Sequence, residues 1–181
     1  MFAQKYNFPI ENGTVVITET LANNNDEVTN FQKVKTWING QGFKNIAVNQ
    51  EETNKRLSYL LTKNTKNSYN PFAGQFIEDL IINFTLYVEG NTVTYAFQNM
   101  QIQETYAGYG VNNKITPLVE MLNNVQAAEQ AVADAIDSGD KKAAKKAKKE
   151  NEDIIENGNE TLEKASKEIT QMQNALRSLL K

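Results

Sequence analysis

The sequence predicts an α+β protein, a five-stranded antiparallel-rich sheet packed on helices and followed by a C-terminal helical arm. Three observations carry this reading. Runs of β-branched and aromatic residues recur up to Ile102 with alternating hydrophobicity. One stretch between the first two runs instead repeats its apolar residues at helical spacing. From Thr116 onward the chain is rich in helix formers, with apolar positions at three- and four-residue steps.

Gly13 to Leu21 is β-branched and alternating, and reads as the first strand. Asn23 to Asp26 then offer capping side chains, and Val28, Phe31, Val34, Trp37 and Ile38 form a helical stripe that stops at Gly40 and Gly42. Three extended runs follow at Ile46 to Gln50, Arg56 to Lys63 and Phe76 to Glu89, with a polar loop from Asn64 to Gly74 before the last. Thr92 to Ile102 is the fifth strand. Gly90-Asn91 is a two-residue hairpin signal, which sets Val88 opposite Val93, Leu86 opposite Tyr95 and Phe84 opposite Phe97. One sheet face then carries Leu80, Ile82, Phe84, Leu86, Val88, Val93, Tyr95 and Phe97 and needs a helical cover. The opposite face carries Asn83, Thr85, Tyr87, Thr94, Ala96 and Gln98 and can meet water.

Thr116-Pro117 marks a helix start, with Thr as the cap and Pro at the first helical position. Two breaks are expected in the helical region, near Gly139, after which Asp140 can cap, and near Gly158. Leu162, Ala165, Ile169, Met172, Leu176 and Leu179 form a coiled-coil-like seam, so this last helix needs a partner surface. That surface is the sheet of the same chain if the arm folds back, or another protein or a second copy if it projects. The expected divisions are an N-terminal segment 1–12, an α+β domain 13–115 and a helical region 116–181.

The order strand, helix, four strands, helix is the unit of the TATA-binding-protein-like fold. On the helix DEVTNFQKVKTWI (Asp26 to Ile38), GFKNI (Gly42 to Ile46) and the paired strands LIINFTLYVEGNTVTYAFQNM (Leu80 to Met100), the first two thirds resembles a family of bacterial exported domains of unknown function with that fold. The resemblance implies an exported protein of a Gram-negative bacterium and carries no catalytic residue. The opening Met1-Phe2-Ala3-Gln4 agrees with it, because a small residue followed by Gln resembles the end of a secretory signal. A periplasmic or secreted location is therefore expected.

Composition restricts the chemistry. With no cysteine and no histidine, thiolate nucleophiles, disulfides, Cys/His metal sites and imidazole bases are excluded, and neither a cofactor nor a metal is expected. A net charge of −3 gives no long-range pull toward nucleic acid, and no apolar run reaches the roughly 18 residues of a membrane span. The adjacent pairs Glu51-Glu52 and Glu78-Asp79 point to opposite strand faces and cannot converge on one substrate atom. The lysine block Lys141 to Lys149, followed by the acidic run Glu150 to Glu156, reads as a solvated helix face. The expectation is thus a binding or scaffolding module rather than an enzyme.

Two surfaces are candidates. Strand direction in the meander brings the segment Asn67 to Gly74, with Tyr69 and Phe72, to the same sheet end as Tyr106 and Tyr109, where aromatics beside glycines suit recognition or simply cap the core. The open polar face, with Tyr87, suits a small molecule or glycan as the alternative. The seam residues Leu162, Ile169, Met172, Leu176 and Leu179 are the candidate contact with a protein partner or a second copy.

Overall fold

The computed structural model describes residues 6, 8–44, 46–51, 56–108 and 110–181, with no side-chain description for 46–51. Asn12 and Gly13 both take positive φ, 50° and 75°, the combination a two-residue hairpin turn requires. They join β1 (Ile10–Glu11) to β2 (Thr14–Val15) as a small ribbon, and β3 (Ile17–Ala22) follows. The expected first strand is thus divided after Val15. Upstream, Tyr6 and Phe8 are buried in the main core, and the Tyr6 hydroxyl donates to the Asn159 carbonyl at 2.9 Å.

The first helix, α1 (Glu27–Gly40), is capped by Asp26, whose carboxylate accepts from the Thr29 N–H at 2.7 Å. Its buried Asn30 exchanges side-chain hydrogen bonds with Asn23 at 2.8 and 3.2 Å, fixing the helix entry. The remaining strands are β4 (Ile46–Glu51), β5 (Arg56–Asn70), β6 (Gly74–Glu89), β7 (Thr92–Ala107) and β8 (Val111–Pro117). The expected five form a sheet of order β3-β7-β6-β5-β4, with every described pairing antiparallel. The sixth strand, β8, pairs with the outer half of β7, in line with β3 on the same edge. The hairpin register is as expected: Val88 opposite Val93, Leu86 opposite Tyr95, Phe84 opposite Phe97.

Two expectations are corrected at the far end of this sheet. The segment Asn64 to Asn70 is strand rather than loop, and β7 continues past Ile102 to Ala107. Each continuation passes a bulge. Between Asn64/Asp79 and Lys66/Glu78 β5 spends one residue more than β6, and between Ile81/Gln101 and Asn83/Gln98 β7 spends one more, with Asn99 at φ 48°. The bulge in β7 changes which parity faces inward, from Val93, Tyr95 and Phe97 to Met100 and Ile102. Thr116, buried at the end of β8, pairs with Ile102 and does not cap a helix; Pro117 is the boundary residue.

Two helices complete the fold, α2 (Leu118–Asp137) and α3 (Lys141–Leu179), joined at Gly139 with φ 75°. Asp140 caps α3, accepting from the N–H groups of Lys142 and Ala143. The expected break near Gly158 does not occur. A Cβ at Gly158 would lie 2.3 Å from Val125 Cγ2, so the glycine there lets α3 approach α2 rather than ending a helix. The lysine block is exposed, and Lys146 reaches Glu150 at 3.7 Å.

One apolar cluster joins the inner sheet face, Val34, Trp37 and Ile38 of α1, Leu118, Leu122 and Val125 of α2, and the seam of α3. Leu162, Ile169, Met172 and Leu176 are buried in it, and Leu179 packs against it half-buried. The seam faces the chain's own core. Its expected role as a contact with another protein or copy is corrected for that reason. Polar ties close the same seam: Lys33 Nζ donates to the Leu179 carbonyl at 3.2 Å, and Arg177 Nε to Glu19 Oε1 at 2.7 Å.

Candidate functional site

The aromatic end is built by backbone packing. Asn70 Oδ1 accepts from the N–H groups of Phe72 and Ala73, at 2.8 and 3.2 Å, and locks the turn between β5 and β6. Gly74, at φ 87°, leaves so little room that a Cβ would sit 2.2 Å from the Ala107 carbonyl oxygen. A Cβ at Gly108 would lie 2.7 Å from the Ala73 carbonyl oxygen. The β5–β6 turn therefore rests on the β7–β8 turn, main chain on main chain, and its shape is fixed from both sides. On this support Phe72 is 91% exposed and Tyr69 75%.

Strand register separates the aromatics by face. Tyr69, Gln75, Ala107 and Val111 form one row across the four strands, while Ser68, Phe76, Tyr106 and Asn112 form the next. Neighbouring rows point to opposite faces. Tyr69 and exposed Val111 thus share the outer face, whereas Tyr106, 46% exposed, lies on the helix side with its ring 4.8 Å from that of Phe76. Burial, then the charges of Glu104 and Glu78, push the Tyr106 hydroxyl above the ordinary phenol range. Tyr109 lies outside the described residues. The expected meeting of the two segments is present, but Tyr69 and Tyr106 do not converge on one surface.

Tyr87 belongs elsewhere, near the β6–β7 hairpin at the opposite end of the sheet. Arg56, Tyr87, Thr94 and Thr20 form one row of the open face, and Ser58, Thr85, Ala96 and Thr18 the next. The Arg56 guanidinium carbon stands 5.3 Å from the centre of the Tyr87 ring, and the Thr20 and Thr94 hydroxyls are 3.0 Å apart. Within these rows Arg56, Ser58, Thr85, Tyr87, Thr94 and Ala96 line a shallow concavity of about 480 Å³. From the sequence, the hairpin register places Thr85 and Thr94 on this face, whereas Arg56, Ser58, Thr18 and Thr20 join it only through the pairing of β5 and β3, which no local motif signals. Glu78 and Asp79 do point to opposite faces: Glu78 is buried against Thr161 and Thr65, and Asp79 pairs with Lys44 at 2.9 Å.

No family model matches the chain, and no curated protein does. Among solved structures, a TBP-like protein from Parabacteroides distasonis superposes with a TM-score of 0.55 at 12% identity, over 95% of this chain and 96% of that one. The fold is TBP-like. A DUF4468 family protein from Bacteroides ovatus is also similar, with a TM-score of 0.42 and 11% identity over 59% of this chain and 64% of that one. The TBP-like match extends over the C-terminal helices as well as the sheet. The rows on this chain's open face, however, carry Thr, Ser and Ala with Tyr87 and one cation, Arg56, where minor-groove binding requires inserted apolar wedges and several cations. Among the described residues, no helix is long and apolar enough to cross a membrane.

Proposed function

We propose that this TBP-like chain is a non-enzymatic binding module of the bacterial cell envelope that docks a protein partner through the turn carrying Phe72. The observation that carries this reading is a fully presented aromatic side chain on a turn fixed by Asn70, Gly74 and Gly108. Exposing a phenylalanine forgoes about 1.5–3 kcal/mol of burial, which a partner pocket can recover at little entropic cost because the turn is already ordered. Tyr69 and Val111 on the outer face extend the apolar contact. An envelope location rests on the resemblance to a family of bacterial exported domains.

The test is capture from bacterial envelope extract by the whole chain and by Phe72→Asp, alongside flotation with anionic vesicles. Protein capture that falls about tenfold in the variant, at unchanged melting temperature, supports the reading. Equal capture by both forms sinks it, and binding to vesicles instead reassigns the turn to a lipid surface.

The concavity on the open face favours a second reading, a receptor for a glycan or small molecule stacked on Tyr87 and held by Arg56 and the threonine hydroxyls. Binding of a carboxylated sugar that is lost in both Tyr87→Ala and Arg56→Ala separates this reading from the first.

A further inference from the structure

A second cavity, of about 560 Å³, lies between α2, α3 and the outer ends of β7 and β8, on the helix side of the sheet. Four elements contribute to it: Glu104 from β7, Lys114 from β8, Asn124 from α2, and Asp153 and Asn157 from α3. It is distinct from both surfaces discussed above. Its width depends on Gly158, which also lines it and holds α3 close to α2 without filling the space with a side chain.

The charges around it are unevenly paired. Lys66, Glu78, Glu104 and Lys114 occupy one cross-strand row, so two carboxylates stand directly opposite each other at its centre. Such like-charge neighbours oppose pairing unless something compensates. Glu78, 3% exposed, accepts hydrogen bonds from the Thr65 and Thr161 hydroxyls at 2.8 and 2.7 Å. Among the described residues, the cation paired with Glu104 is Lys114 at 3.7 Å, whose side chain is largely in solvent. Asp153, across the cavity on α3, adds a second lining carboxylate against that single lysine. Met121, Val125 and Ile154 supply apolar wall beside the Asn124 and Asn157 amides.

We propose that this cavity binds a small organic cation, a primary ammonium on a short methylene or hydroxylated body, with the ammonium between Glu104 and Asp153 and the body along Met121, Val125 and Ile154. The ammonium neutralises the facing carboxylates and displaces Lys114 toward solvent. The amides of Asn124 and Asn157 serve hydroxyl or amide groups on the body. This site is independent of docking by Phe72.

The experiment is calorimetric titration of the whole chain with 1,5-diaminopentane, with glutarate as an anion of equal length and glucose as a neutral control. Saturable binding of the diamine alone is expected. Glu104→Gln and Asp153→Asn each weaken it by at least about tenfold. Because Glu104→Gln removes a like charge facing Glu78, its melting temperature is expected to stay equal or rise, so lost binding in that variant is not lost folding. Absence of diamine binding, equal binding of glutarate, or unchanged binding by both variants overturns the proposal.

Discussion

At Gly158 a hydrogen atom stands where any other residue would drive a carbon to 2.3 Å from Val125 Cγ2. Val125 is buried and β-branched, so it cannot turn aside cheaply. Gly158→Ala is expected to destabilise by about 1–3 kcal/mol even though alanine is favoured over glycine in a helix by about 1 kcal/mol. In the background of Val125→Ala the sign should reverse, which a denaturant double-mutant cycle reads directly. Glu19 illustrates an electrostatic residue. Burial alone raises its carboxyl, but the Arg177 guanidinium and the Tyr95 hydroxyl, both bonded to it, outweigh that and hold it below the usual carboxylate range. A depressed folded value means stability that is present above the unfolded pKa of about 4.3 and is lost as pH falls through the lower folded value. Glu19→Gln is therefore expected to cost stability at neutral pH, with the gap to the native chain closing at acid pH in urea titrations.

Among the elements, the middle of the sheet was legible because its pattern repeats every two residues without interruption and a Gly-Asn turn pins the register. The outer ends of β5 and β7 were not, since each bulge inserts one odd step and makes a continuing strand look like a stop. β8 was missed for a related reason: Val111 to Ile115 is exposed and polar-rich, so only its pairing with β7 identifies it. The α3 seam was read correctly as apolar, while its partner could not be known, because a stripe does not state what it covers. With the seam turned to the sheet, Ile169→Asn is expected to unfold the chain, losing about 3 kcal/mol or more, rather than to convert a dimer into a monomer. Sedimentation and thermal melts together separate these outcomes. The candidate surfaces were half legible. Tyr69 and Phe72 stand out as aromatics beside Pro and Gly, whereas the row of facing glutamates and the threonine rows exist only in the paired sheet.

At the scale of the molecule, a single apolar cluster contains residues from Tyr6 to Leu180, and no helix of the C-terminal region is independent of the sheet. Coincident, single unfolding transitions by helix-sensitive and aromatic circular dichroism are the expected result, as is resistance to limited proteolysis between Gln103 and Pro117, where β8 is paired. The hydrogen bond from Tyr6 to Asn159 spans 153 residues of sequence and ties the start of the core to the middle of its last helix. During vectorial synthesis, the inner sheet face is made before Leu162 and Leu176, which share its apolar cluster, exist. The part of that face that α1 does not cover stays exposed until the C-terminal helices are made, and a version ending at Ile115 is expected to bind a hydrophobic dye.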